Sequence, residues 1–197
     1  MTVNRRTHLF ALALLLAGCA TPGVRLLPVA TGEVVVRERL AVTPAAPWNQ
    51  VEGASKGKLA VWTKEGLPLD QLTFYVGIAD GEPLVPPPTD AKTALPPFRA
   101  KMTASELVDL LQVHWTQNGA NFKLERVERK PFAGQPGFRL EYSYVQADSE
   151  VRRRGVAWGA VVGTELFIID WMAPRLAFFD RYVTEVEALA GTARLVR

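Results

Sequence analysis

Apolar and polar residues change phase several times along the chain, and each change marks an element. Leu107, Leu110, Leu111 and His114 recur at helical spacing, with Trp115 beside them. Thr103-Ala104-Ser105-Glu106 precedes this stripe as a capping box. In that motif the Thr hydroxyl accepts the Glu amide hydrogen, and the Glu carboxylate reaches back to the Thr amide. Asn118-Gly119 supplies a stop. The period then becomes two. Phe122 and Leu124 alternate with Lys123 and Glu125; Phe138, Leu140, Tyr142 and Tyr144 share one face, with Arg139, Glu141 and Ser143 on the other. Residues 151–162 and 166–172 predict two further strands joined by Gly163-Thr164-Glu165. A second helical stripe closes the chain: Phe179, Tyr182, Val183, Val186 and Leu189, with Pro174 expected at its start and Gly191 at its end.

The first half is less regular. Residues 33–42 are β-rich, Pro44 and Pro47 interrupt, and residues 58–63 and 71–78 read as strands. Residues 81–99 contain Pro83, Pro86, Pro87, Pro88, Pro96 and Pro97. Such a tract cannot donate a regular ladder of hydrogen bonds, so it is expected to form a long loop outside the sheet. Strands joined by short turns must pair antiparallel. The order of strands, loop, helix, four-strand meander and helix predicts an α+β fold, an antiparallel sheet with helices packed on it.

The N-terminus changes the picture. Arg5 and Arg6 precede an apolar run from Phe10 to Ala17, too short to span a bilayer, which takes ~20 apolar residues. This is the pattern of a secretory signal peptide. The run ends in Leu16-Ala17-Gly18-Cys19, and Cys19 is the only cysteine of the chain. These four residues resemble the lipobox of bacterial lipoproteins. The resemblance implies diacylglycerol on the Cys19 thiol, cleavage before it and acylation of the new amine. Residues 1–18 are then a lipoprotein signal peptide, 19–32 a flexible tether and 33–197 one α+β domain. Ala20 after the cysteine implies, by the same resemblance, an outer-membrane address facing the periplasm. The membrane is the expected partner through Cys19, and an envelope protein a second.

Composition sets further bounds. Arg5 and Arg6 supply two of the +3 formal charges, so the mature chain is close to neutral and is no general polyanion binder. A nucleic-acid partner is not expected of an exported chain. With one cysteine there is no intramolecular disulfide, and the five Trp, four Tyr and nine Phe, one of them Phe10 of the signal, must supply the core.

The segments "MTASELVDLLQ", "GQPGFRLEYSY", "GVAWGAVVGTELFIIDW" and "APRLAFFDRYVTEVEAL" together resemble the PsbP-like fold, which includes DcrB-like envelope lipoproteins. The resemblance covers residues 48–189 and carries no catalytic signature; it implies binding and assembly factors, and transfers no particular function.

Candidate chemistry is sparse. His114 is the sole histidine after the signal, and with no second histidine or thiol it is read as structural, without a metal site or cofactor. Ser55, Ser105, Ser143 and Ser149 lie in neither G-x-S-x-G nor S-x-x-K, so no catalytic residue is assigned. Gly155, Gly159 and Gly163 do not form a phosphate-binding pattern and are expected to mark bending or close approach within strands. Arg152 and Arg154 are expected on one strand face and Arg153 on the other, available to lipid phosphate or an acidic protein surface. Glu125, Glu128 and Glu141, interleaved with Arg126, Arg129 and Arg139, predict cross-strand ion pairs rather than acid–base pairs. Trp62, Trp158 and Trp171 are expected in the core. The leading expectation is a non-enzymatic envelope lipoprotein that binds or helps assemble another envelope component. The alternative is a hydrolase or small-ligand-binding domain with its site under the Pro-rich tract near His114.

The lipobox makes a direct prediction. Cys19→Ser removes the thiol that would accept diacylglycerol, so the chain should accumulate as an unprocessed precursor that takes up no radiolabelled palmitate. Equal labelling of the wild type and the variant would contradict it.

Overall fold

A computed structural model describes residues 24–85, 95–116 and 120–196. The signal peptide, Cys19, the Asn118-Gly119 stop and the centre of the Pro-rich tract lie outside the described residues.

The strands are β1 (Leu26–Val29), β2 (Val34–Val36), β3 (Leu40–Val42), β4 (Trp48–Val51), β5 (Leu59–Thr63), β6 (Gln71–Ala79), β7 (Asn121–Arg129), β8 (Phe138–Val145), β9 (Arg153–Val162), β10 (Glu165–Pro174) and β11 (Arg194–Leu195). The helices are α1 (Ala104–Thr116) and α2 (Asp180–Gly191). Eight strands form one sheet in the order β1-β4-β5-β6-β10-β9-β8-β7, and β11-β3-β2 form a small second sheet. All pairings are antiparallel.

Three layers result. The large sheet is the middle layer, and its alternating side chains build two cores. One face packs Trp62, Phe74, Trp158, Phe167, Ile169 and Trp171 against Phe179, Val186 and Leu189 of the C-terminal segment and against the small sheet. The other packs Tyr75, Leu140, Tyr142 and Ile168 against Leu107, Leu110 and Leu111 of α1. The three strand tryptophans are buried, as their apolar setting predicts.

α1 begins as its sequence dictates. The Thr103 amide donates to Glu106 Oε2 at 2.7 Å, and the Glu106 amide donates to Thr103 Oγ1 at 3.3 Å. The C-terminal helix differs from expectation. Pro174 is the last residue of β10; a five-residue wide turn, Arg175–Phe179, follows before α2. Leu176 is extended and Ala177 takes φ 75°, so the helix cannot start at the proline.

Two further expectations are corrected. Within the stretch read as a tether, Leu26–Val29 form an edge strand paired with β4. Pro28 is tolerated there because an edge strand need not donate on both sides. The described residues of the Pro-rich tract form no strand, as expected, but its two ends are held at the core and are no free loop. The Gly81 amide donates to the Phe98 carbonyl and the Phe98 amide to the Glu82 carbonyl, both at 2.8 Å. Leu84 and Phe98 are buried in the α1-side core. Prolines forbid a ladder at their own positions only, and the residues between them can still anchor.

Gly155 and Gly159 leave room on β9 for side chains of its neighbours. A Cβ on Gly155 would stand 2.0 Å from Tyr142 Cζ, and one on Gly159 would stand 2.8 Å from Phe138 Cζ. The close approach expected of these glycines is thus made by aromatic rings of β8.

Leu84→Ala should lower the unfolding free energy by about 2–5 kcal/mol, the usual cost of emptying a buried leucine site. Chemical denaturation checks it. A change below ~0.5 kcal/mol would show that the tract is not part of the core.

Candidate functional site

Polar side chains absent from the two cores gather where β7, β8 and β9 meet the turn into α2. Register sets Lys123 opposite Ser143 and Ser143 opposite Arg154. Arg139 and Glu141 lie on the same sheet face, by the two-residue period of β8.

A charge network covers this face. Arg139 donates to Glu141 Oε1 and to Glu187 Oε1 of α2, each at 2.6 Å. Arg154 donates to Glu141 Oε2 at 3.3 Å and lies 3.6 Å from Asp180 Oδ1. Its guanidinium carbon also stands 4.3 Å from the centre of the Phe179 ring. Glu128 pairs with Arg126 at 2.7 Å and lies 3.5 Å from Arg139. Lys123 and the Ser143 hydroxyl both donate to Glu125, at 2.9 Å to Oε2 and Oε1 respectively. The expected cross-strand pairing is present between Arg139 and Glu128, and Arg154 adds a pair to Glu141; Arg126 and Lys123 pair within β7, and Arg129 joins no ion pair among the described residues. The hydrogen bond from Arg139, and then its charge, hold Glu141 below the usual carboxylate range. Glu125 is lowered likewise by its bonds from Lys123 and Ser143. Both are ionised at neutral pH and poorly suited to donate a proton.

Beside the network opens a cleft of about 650 Å³. Its walls carry five cationic side chains, Lys123, Arg152, Arg153, Arg154 and Arg175, against one carboxylate, Glu125. Arg153 and Arg154, the first residues of β9, separate in burial, and Arg152 precedes the strand. Arg154 faces α2. Arg153 is buried and donates to the Pro68 carbonyl at 2.7 Å. Arg152 and Arg175 are exposed and have no carboxylate partner among the described residues. The Arg175 amide donates to the Arg152 carbonyl at 2.9 Å, which ties these two together. The sequence showed the arginine run; Arg175 joins it only through the fold.

His114 belongs to a different region. It is buried on α1, with Nε2 3.3 Å from the Pro96 carbonyl oxygen. Burial lowers its pKa and the carbonyl opposes that effect. Among the described residues no three His, Cys, Asp or Glu side chains converge as metal ligands.

No protein-family model matches the chain, and no curated protein matches it. Among solved structures it is similar to the solution structure of cyanobacterial PsbP (CyanoP) from Synechocystis sp. PCC 6803, with a TM-score of 0.56 and 18% sequence identity. The match covers 92% of this chain and 99% of that one. The fold is PsbP-like. At this identity the likeness concerns architecture alone.

One buried acid of the PsbP-like domain has no counterpart in the sequence reading. Asp170 lies within the apolar run of β10, and Tyr142 donates to its Oδ1 at 2.8 Å across β9. The missing side chain at Gly155 makes room for the Tyr142 ring. Burial pushes the Asp170 carboxyl up to about 7, against the lowering effect of the tyrosine bond. Burial, followed by the nearby Asp170, also raises Tyr142. The available signal was a lone acid in "LFIIDWM".

This pair predicts a pH dependence. Asp170 binds its proton more tightly folded than unfolded, so its contribution favours the fold below about pH 4 and fades as pH rises through about 7. Asp170→Asn keeps an acceptor for Tyr142 without a charge. It should flatten the fall in stability between pH 4 and 8 by about 2–4 kcal/mol in denaturation curves. An unchanged slope would contradict the assignment.

Proposed function

We propose that this chain is a non-enzymatic lipoprotein of the bacterial envelope, a binding or assembly factor held to the outer membrane through Cys19. The reading is supported by the lipobox and by the cationic cleft, in which Arg152 and Arg175 have no carboxylate partner among the described residues and are available to a ligand. The cleft is the observation that carries the binding assignment.

The placement of anchor and cleft fits this role. Val24 lies five residues after Cys19, a span of at most ~18 Å even when fully extended. It leads into β1 at one margin of the sheet, while the cleft is walled by β7, β8 and β9 at the other. Five strand spacings of ~4.8 Å, about 24 Å, separate β1 from β9. On this reading the anchored margin stays near the bilayer and the cleft is offered to components beyond it.

Fractionation with in-cell crosslinking tests the assignment. The wild type should stay with outer membranes through salt and alkaline washing. A photo-crosslinker placed at Val145, in the wall of the cleft, should give a discrete adduct. Recovery in the soluble fraction would contradict the anchor, and the absence of any adduct would contradict the binding role.

A further inference from the structure

We propose that the cleft docks an acidic polypeptide segment that also carries a large apolar side chain. The inference rests on the reading of the chain as a binding factor and names the chemistry of its partner.

Charge is the first argument. Lys123 and Arg154 are matched by Glu125, Glu141 and Asp180. Arg153 is held by Pro68. Arg152 and Arg175 remain as an exposed pair fixed side by side through the backbone. Two guanidinium groups so placed suit carboxylates, which they can grip through paired N–H donors.

The second argument is apolar and independent of charge. Leu176, next to Arg175, is 83% exposed, and Val151, next to Arg152, is 45% exposed. Leu176 is held outward by the wide turn, in which Ala177 takes a left-handed φ of 75°. For a residue with a Cβ that conformation is strained. A strained turn that presents a leucine to water beside unpartnered arginines has the composition of an interface centre. Arginine is enriched among the residues that carry binding there, the exposed leucine adds apolar area that a partner can bury, and charge complementarity sets the approach.

Alternative occupants satisfy only part of this. A small phosphate would match the arginines and leave Leu176 and Val151 in water. A bilayer could take both, but the Cys19 anchor would enter at the opposite margin of the sheet. An acidic segment with an apolar residue meets both halves of the surface.

The test uses the full lipidated chain in an uncharged detergent and measures anisotropy of labelled peptides. The probes are an alternating Glu/Leu peptide and an all-Glu peptide of equal charge. Competitors are inorganic phosphate and phosphatidylglycerol vesicles. The Glu/Leu peptide should bind more tightly than the all-Glu peptide, and weaken with salt. Arg152→Glu with Arg175→Glu should weaken it by at least ~10-fold. Leu176→Ser should weaken the Glu/Leu peptide several-fold and leave the all-Glu peptide unchanged. The melting transition should persist in both variants, because the altered side chains are exposed. Undiminished binding by the double variant would overturn the proposal, as would displacement of the peptide by phosphate or by vesicles. Palmitate labelling reads the anchor separately. A chain that binds the peptide but takes no lipid would keep the docking surface and lose the envelope assignment.

Discussion

The structure depends on burial of both faces of β9 and β10. Val156, Ala157, Trp158, Ile168, Ile169 and Trp171 leave almost no polar surface on either side of the hairpin. A sheet with two apolar faces needs two covers. One is α1, reinforced by Leu84 and Phe98 from the two ends of the Pro-rich tract. The other is the C-terminal segment with the small sheet β11-β3-β2. The glycines of β9 serve the same constraint, since Gly155 and Gly159 admit aromatic rings from β8 where any side chain would collide. Three layers follow from one doubly buried hairpin.

The second cover is also fixed electrostatically. Lys64 pairs with Glu185 at 2.7 Å, Arg139 with Glu187 and Arg154 with Asp180, so the start and the middle of α2 are tied to the sheet side. These pairs use up much of the charge on that face. At the cleft, Arg152 and Arg175 are left without a carboxylate partner among the described residues. Arg152 precedes β9 and Arg175 follows β10, strands that lie five and four places from β1, where the proposed anchor leads in. The binding role proposed above follows from that asymmetry between matched and unmatched charge.

Local signals were legible in the sequence and distant ones were not. The capping box of α1 and the alternation of β8 appear as the sequence predicts, because each depends on residues a few positions apart. β1 was hidden by Pro28, since only its pairing with β4 shows that it is an edge strand. Leu84 and Phe98 were hidden by the prolines around them. In β7 a bulge between Leu124 and Arg126 shifts the phase, and Leu124 and Val127 are left exposed in spite of the alternation. The arginine run could be split between two faces from period alone. Its completion by Arg175 required the register of β10 on β9. Asp170 was visible as an acid among apolar residues, but its partner Tyr142 lies on a strand two positions away in the sheet.

The central claim is that a domain anchored at one margin presents its cationic cleft at the other. Spin labels on the lipidated chain in bilayers test it most directly. Cys19 would carry lipid, so Glu52→Cys and Lys123→Cys would each place one label on a free thiol. Glu52 lies at the anchored margin, its amide bonded to the Arg25 carbonyl, and Lys123 lies on the cleft wall. The account predicts that a relaxing agent confined to the bilayer surface acts strongly on the label at position 52 and weakly on the label at position 123. Equal or stronger relaxation at position 123 would contradict it.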